Sequence, residues 1–212
     1  MTYKAVITAV LLAFAPAVFA QDHDHDHKPG ETHEAVEDDG IGVRGELVYG
    51  EKTAKVEVME YGSFTCPHCA RFTSEIFPKL KADFIDTGKV RFIFRNFVRD
   101  RYDMAVAAIS RCTAGPAETK ELTEVFFQRQ NDWVRANNPY EVMAEIAVEH
   151  GLSKDKLGDC ISSRSLQEHL VEMRNFGIES YQIDEVPTLF VNGAKIKGYS
   201  YEALKEAIEA AK

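Results

Sequence analysis

Nothing in this chain pairs with Cys66-Pro67-His68-Cys69 to complete a zinc site: there is no second Cys-x-x-Cys and no His-x-x-His to bring the ligands to four. Positive charge is also scarce. Lys+Arg total 25 against Asp+Glu 34, a formal net charge of -9, and the acidic residues are spread along the sequence. That balance argues against a phosphate-binding surface and against nucleic acid as a partner. No sustained heptad and no separate dimerisation segment is present, which favours a monomer. No apolar run reaches the ~20 residues that a membrane-spanning helix needs.

The nearest approach to such a run is Ala5 to Ala20, preceded by Lys4, broken by Pro16 and closed by Val18-Phe19-Ala20. This reads as a cleavable secretory signal over residues 1–20, with an uncleaved anchor as the alternative. Export places the protein in a disulfide-permissive compartment, so all 4 cysteines are oxidisable. Residues 21–44 are polar, acidic and aperiodic, and are expected to form a disordered tail. Its alternating His23, His25 and His27, with His33 nearby, suit zinc, copper or nickel. A solvated tail without preset geometry is the plainer reading of the same residues.

From Lys55 the sequence becomes β-branched and aromatic, through Val56, Val58, Met59, Tyr61 and Phe64, which predicts a buried strand, with Leu47-Val48-Tyr49 as a short companion. After Pro67, the spacing of Phe72, Ile76, Phe77, Leu80 and Phe84 predicts a helix, kinked at Pro78. Gly88-Lys89 turns the chain into a second strand from Val90 to Phe97, completing a βαβ unit. Between about Arg99 and Ser180 there is no strand pattern. Gly115-Pro116 is expected to end the first helix there, while Asn138-Pro139-Tyr140-Glu141 and Ser165-Leu166-Gln167-Glu168 are expected to start later ones. Thr188 to Val191, the turn Asn192-Gly193, and Lys195-Ile196-Lys197 predict a hairpin, followed by a helix after Ser200. The expected fold class is α/β, with βαβ and ββα portions over 45–98 and 181–212 and a helical subdomain inserted over 99–180.

The chemistry concentrates at Cys66 and Cys69. A Cys-x-x-Cys at a strand-to-helix junction puts the first sulfur at a helix N-terminus, where unpaired amides favour the thiolate. Cys69 lies one turn in, close enough for the pair to cycle between dithiol and disulfide. Pro67 presets the first helical residue, and His68 is a candidate electropositive neighbour of the Cys66 thiolate. A zinc half-site and an inert bridge use the same spacing, but the βαβ context reads as redox. Glu60 is an acid within an apolar strand: either it points to water at a strand edge, or it is buried and serves as proton acceptor for Cys69. Val186-Pro187 before the last strands suggests a turn that a cis bond would hold. Cys112 and Cys160 fall on apolar helical faces, as a bond between two helices or as buried free thiols.

Taken together, Glu60-Tyr61-Gly62-Ser63-Phe64-Thr65-Cys66-Pro67-His68-Cys69, the helical insertion and Val186-Pro187-Thr188 resemble the DsbA family of periplasmic thiol-disulfide oxidoreductases, over residues from about 45 to 212. The pair Cys112 and Cys160 resembles that of alphaproteobacterial DsbA-like proteins, which carry a second, structural disulfide. The resemblance implies a thioredoxin fold, an exposed Cys66 above a buried Cys69, Glu60 as a buried acid, and a cis Pro187 with the Val186 backbone aligning substrate. It further implies a periplasmic enzyme needing no cofactor, which oxidises reduced exported polypeptides and is itself reoxidised by a DsbB-like membrane quinone reductase. The same fold serves disulfide reductases and isomerases. A metal-handling protein that gathers copper or zinc with the His/Asp tail and the Cys66 and Cys69 thiols is the alternative from a different class.

Overall fold

The computed structural model describes residues 37–211. The expected signal segment, 1–20, and His23, His25 and His27 lie outside the described residues. Strands β1 (Leu47–Tyr49), β2 (Val56–Gly62), β3 (Val90–Asn96), β4 (Thr188–Val191) and β5 (Ala194–Lys195) form one sheet in the order β1-β3-β2-β4-β5. β2 and β3 are parallel, as a βαβ crossover requires, and the other pairs are antiparallel. β2 is therefore central, and its two-residue period assigns its side chains. Val56 and Val58 share one buried cluster with Phe92, Phe94, Leu189 and Val191. Met59 and Tyr61 join Ile93 and Phe190 in another. Glu60 falls on the Val56–Val58 face by the same alternation.

The crossover is one helical run made of α1 (Pro67–Arg71), a π-helical turn (Phe72–Ile76), α2 (Phe77–Leu80) and a second π-helical turn (Lys81–Ile85). Pro78 sits at the start of α2, directly after the first wide turn. Proline has no N–H and crowds the carbonyl four residues back. The Phe77 amide correspondingly reaches back to the Phe72 carbonyl, so the expected disturbance takes the form of a widened turn.

Six helices separate β3 from β4: α3 (Arg101–Arg111), α4 (Pro116–Gln128), α5 (Gln130–Val134), α6 (Pro139–Glu149), α7 (Lys154–Ser162) and α8 (Arg164–Tyr181). Gly115-Pro116 does not end α3, which stops at Arg111; it starts α4, with Pro116 at a first-turn position where a missing N–H costs nothing. Asn138-Pro139 does start α6, but the Asn138 side chain donates to Glu141 at 3.2 Å instead of capping the backbone. The cap of α8 is Ser163, whose hydroxyl accepts from the Leu166 amide at 3.1 Å, two residues before the expected Ser165. Ser165 accepts instead from the Arg44 guanidinium at 2.7 Å.

That contact corrects the extent of the tail. Residues 38–44 were expected to belong to it, yet the Ser163 hydroxyl donates to Asp39 at 2.6 Å and the Val43 amide to the Arg111 carbonyl at 2.7 Å. Arg111 is fully buried and has no carboxylate partner among the described residues; the Asn96 side-chain oxygen at 2.7 Å and the carbonyls of Val43 and Gly45, at 2.7 and 3.0 Å, supply its acceptors. A buried guanidinium left without them would be costly. The hairpin turn at Asn192-Gly193 has both residues at positive φ, 45° and 80°, while the return strand is only Ala194–Lys195. Ser200 caps α9 (Tyr201–Ala210), accepting from the Ala203 amide at 3.1 Å. Cys112 and Cys160 are disulfide-bonded with Cα atoms 5.9 Å apart, which fastens the end of α3 to α7.

Candidate active site

β2 ends at Gly62, and Ser63-Phe64-Thr65 leads directly into Cys66, the N-cap of α1, in extended conformation with Pro67 following. No side chain caps this helix, so the sulfur of Cys66 is left to face the amides of the first turn. Its pKa is lowered to about 5, foremost by a hydrogen bond from the Cys69 thiol, then by the backbone amides of Cys69 and His68 and the charge of Arg99, with burial opposing. Cys69 moves the other way. Burial pushes its thiol well above the ordinary value, and the nearby Cys66 and Glu60 add to the rise. The two sulfurs, chemically identical in sequence, are electrostatically opposite in place.

Cys66 had been expected as the exposed sulfur, but the residue keeps only 3% of its surface against 0% for Cys69. Its cover is partly the Val186 carbonyl, 3.3 Å from the sulfur. That carbonyl belongs to a cis Val186-Pro187 bond, which turns the chain toward Cys66 immediately before β4. Beside it lies a groove of about 310 Å³ lined by His68, Val186, Pro187, Thr188 and Tyr199, among others.

His68 is exposed, and its Nδ1 lies 2.8 Å from the Tyr199 hydroxyl. What it contributes to the Cys66 thiolate is its backbone amide; the nearby cation is Arg99. Glu60 is 2% exposed, which settles its position against the strand-edge reading. Two-sided burial follows from its place on the central strand, paired with Phe94 of β3 and Leu189 of β4. Desolvation raises its pKa well above the carboxylate range, and the charge of Cys66 raises it further.

Several residues of the helical insertion hold this loop, and sequence reasoning missed them. Gln130 of α5 donates through Nε2 to the carbonyls of Phe64 and Cys66 at 2.6 and 2.9 Å. Asp103 of α3 accepts from the Ser63 hydroxyl at 2.5 Å, the Phe64 amide at 2.8 Å and the Arg99 amide at 3.0 Å. Burial nonetheless raises Asp103 to about 6, against those three hydrogen bonds. Arg99 donates to the hydroxyls of Ser63 and Thr65 at 3.0 and 3.3 Å. No local pattern marks these residues, because each acts on a loop more than thirty positions away. Among the described residues, no cluster of His, Cys, Asp or Glu is arranged to hold a metal.

A family model described as thioredoxin matches residues 43–210. A relative from Rickettsia felis, named as a protein-disulfide oxidoreductase, is 31% identical over 166 residues, which cover 78% of this chain but 60% of that protein. This chain thus spans less than two thirds of the length of that relative. Disulfide bond formation protein D of Bacillus subtilis is 30% identical over 183 residues, covering 79% of this chain and 77% of that protein. Among solved structures, alpha-DsbA1 of Wolbachia pipientis superposes with a TM-score of 0.74 at 25% identity, over 81% of this chain and 92% of that one.

Proposed function

Since this chain belongs to the thioredoxin family, among its DsbA-like members, we propose that it is a thiol-disulfide oxidoreductase that introduces disulfide bonds into exported polypeptides through Cys66 and Cys69. The observation that carries this reading is the placement of the two sulfurs: Cys66 at the uncapped N-terminus of α1, 3.3 Å from the Val186 carbonyl, and Cys69 fully buried one turn in.

In the oxidised enzyme a substrate thiolate attacks the Cys66 sulfur. The substrate–Cys66 bond forms as the Cys66–Cys69 bond breaks, and Cys69 leaves and takes up a proton. A second substrate thiolate then attacks the substrate sulfur, and Cys66 leaves as a thiolate, which a pKa of about 5 makes a good leaving group. Two electrons pass from substrate to enzyme, and the substrate acquires its disulfide. Stabilisation of the Cys66 thiolate favours the reduced enzyme, and hence the oxidation of its substrates.

The Val186 carbonyl faces Cys66, and with Pro187 it borders the groove in which a substrate backbone would align. Export is supported by the signal-like run from Ala5 to Ala20, and places the enzyme in the periplasm. Reoxidation falls to a membrane quinone reductase of the DsbB type. The enzyme works as a monomer, and the Cys112–Cys160 bond is structural. The oxidised protein, mixed with a reduced, unfolded polypeptide bearing a cysteine pair, should give one substrate disulfide per enzyme disulfide consumed. The Cys66→Ser variant should give none; disulfide formation at the wild-type rate in that variant would overturn the proposal.

A further inference from the structure

Arg99, Arg101 and Arg174 line one groove of about 250 Å³, and among the described residues none of the three has a carboxylate at ion-pairing distance. Acids are not scarce: Asp+Glu number 34 against 25 Lys+Arg, and Arg91, Arg95 and Arg129 each hold one. The single carboxylate in the lining, Asp100, is committed elsewhere. Its Oδ1 accepts from the Tyr102 and Asp103 amides at 2.9 and 3.0 Å, capping α3, and its Oδ2 accepts from the Thr65 hydroxyl at 3.0 Å. Three like charges around one concavity repel one another, and an anion entering it relieves that repulsion. Two of the three are held in place. Arg99 donates through Nε and Nη2 to Ser63 and Thr65, and Arg101 donates to the Tyr102 hydroxyl at 2.8 Å with its guanidinium 4.7 Å from the centre of that ring. Val98 and Val171 supply an apolar part of the wall. The groove shares no residue with the one beside Val186 and Pro187.

We propose that this groove docks an acidic stretch of the reduced substrate polypeptide, close in sequence to the cysteine that Cys66 engages. The inference deepens the thiol-disulfide reading of Cys66 and Cys69 and rests on it. A guanidinium fork meets a carboxylate with two parallel hydrogen bonds, and clustered arginines are a recurrent means of reading acidic segments. Position indicates which anion is meant. Thr65, held by both Arg99 and Asp100, directly precedes Cys66, so the groove adjoins the sulfur to which a substrate chain is joined in the mixed disulfide. The net charge of -9 repels an extended anionic surface such as a membrane or a nucleic acid. A short acidic segment, by contrast, meets chiefly the local positive field, because more distant charges are screened by salt. Acids near a substrate cysteine thereby speed its encounter with the enzyme, a selection that sulfur exchange alone does not supply.

The test uses two reduced peptides, each with one cysteine pair, flanked on both sides by glutamates in one and by glutamines in the other. The second-order rate of oxidation by the oxidised protein is measured for each and divided by the rate with the neutral disulfide of mercaptoethanol, which removes the effect of the glutamates on the peptide's own thiol pKa. At low salt the wild type should then favour the glutamate peptide ~10-fold, the lower end of electrostatic steering, and the preference should shrink as salt is added. Arg101→Gln and Arg174→Gln should each reduce it ~3-fold or more, as loss of a rim charge does, and Arg174→Lys should retain more of it than Arg174→Gln. Equal rates for the two peptides in the wild type, or a full preference surviving in both glutamine variants, overturns the inference. Wild-type binding to vesicles of equal parts phosphatidylglycerol and phosphatidylcholine, lost in Arg174→Gln and unaccompanied by any peptide preference, would assign the groove to a lipid headgroup and overturn it too. A wild type that oxidises neither peptide would sink the functional reading instead.

Discussion

At the scale of single residues, the account turns on one sulfur made acidic and another kept protonated. Cys66 owes its low pKa to the Cys69 thiol first and to first-turn amides next. Titration of the reduced protein, followed by thiolate ultraviolet absorbance, should therefore show a midpoint near 5. A midpoint at the free-cysteine value of ~8.5 would contradict it. The sign for stability follows from that depression. The contribution of the Cys66 thiolate is fully present above the unfolded thiol's pKa and is lost as pH falls through about 5. Reduced protein should accordingly gain stability over oxidised protein as pH rises from 5 toward neutrality, measurable by denaturant unfolding of both forms at several pH values. The position of Cys66 was legible in sequence because a strand end, Pro67 and a helical period are local signals. Burial of Glu60 was not, since an acid at that point of the pattern fits an edge strand as well as a central one; only the partners Phe94 and Leu189 decide it. Gln130, Asp103 and Arg99 were invisible for a stronger reason: what they hold lies in another part of the chain.

At the scale of elements, the insertion both braces itself and grips the active-site loop. The Cys112–Cys160 bond joins positions 48 residues apart, and chain entropy assigns such a link ~4 kcal/mol at most in the unfolded-state account. The double variant Cys112→Ser/Cys160→Ser should lose about 2–4 kcal/mol in denaturant unfolding while keeping most of its exchange activity. Loss of activity equal to that of Cys66→Ser would contradict the separation of roles. A second contact ties α8 to the sheet. A Cβ at Gly177 would lie 2.7 Å from the Tyr61 ring, so the helix reaches β2 only because this position is glycine. Gly177→Ala should destabilise by ~1–3 kcal/mol, as overpacking does, and an unchanged unfolding midpoint would refute that packing argument. Helix existence was readable from apolar spacing and proline positions. Helix ends were read less well: Gly115-Pro116 carries stop and start signals alike, and Ser163 and Ser165 compete as caps until Arg44 claims the second.

At the scale of the molecule, the order βαβ, helical insertion, ββα was written in the periodicities. The placement of β2 between β3 and β4, which buries Glu60 and aims the Cys66 loop at Val186, was not. Strand order depends on pairings between segments more than a hundred residues apart, and the sequence pattern of one segment does not name its partner. No helix among the described residues is long and apolar enough to cross a membrane. The proposed oxidase role requires that the reduced pair be favoured over the disulfide. The reduction potential of Cys66–Cys69 in a glutathione buffer tests it directly, with Cys112→Ser/Cys160→Ser protein as the control for the second pair. A value toward about -120 mV, the magnitude of DsbA itself, is the predicted result, and one near about -270 mV, that of the reductant thioredoxin, would contradict the oxidase role.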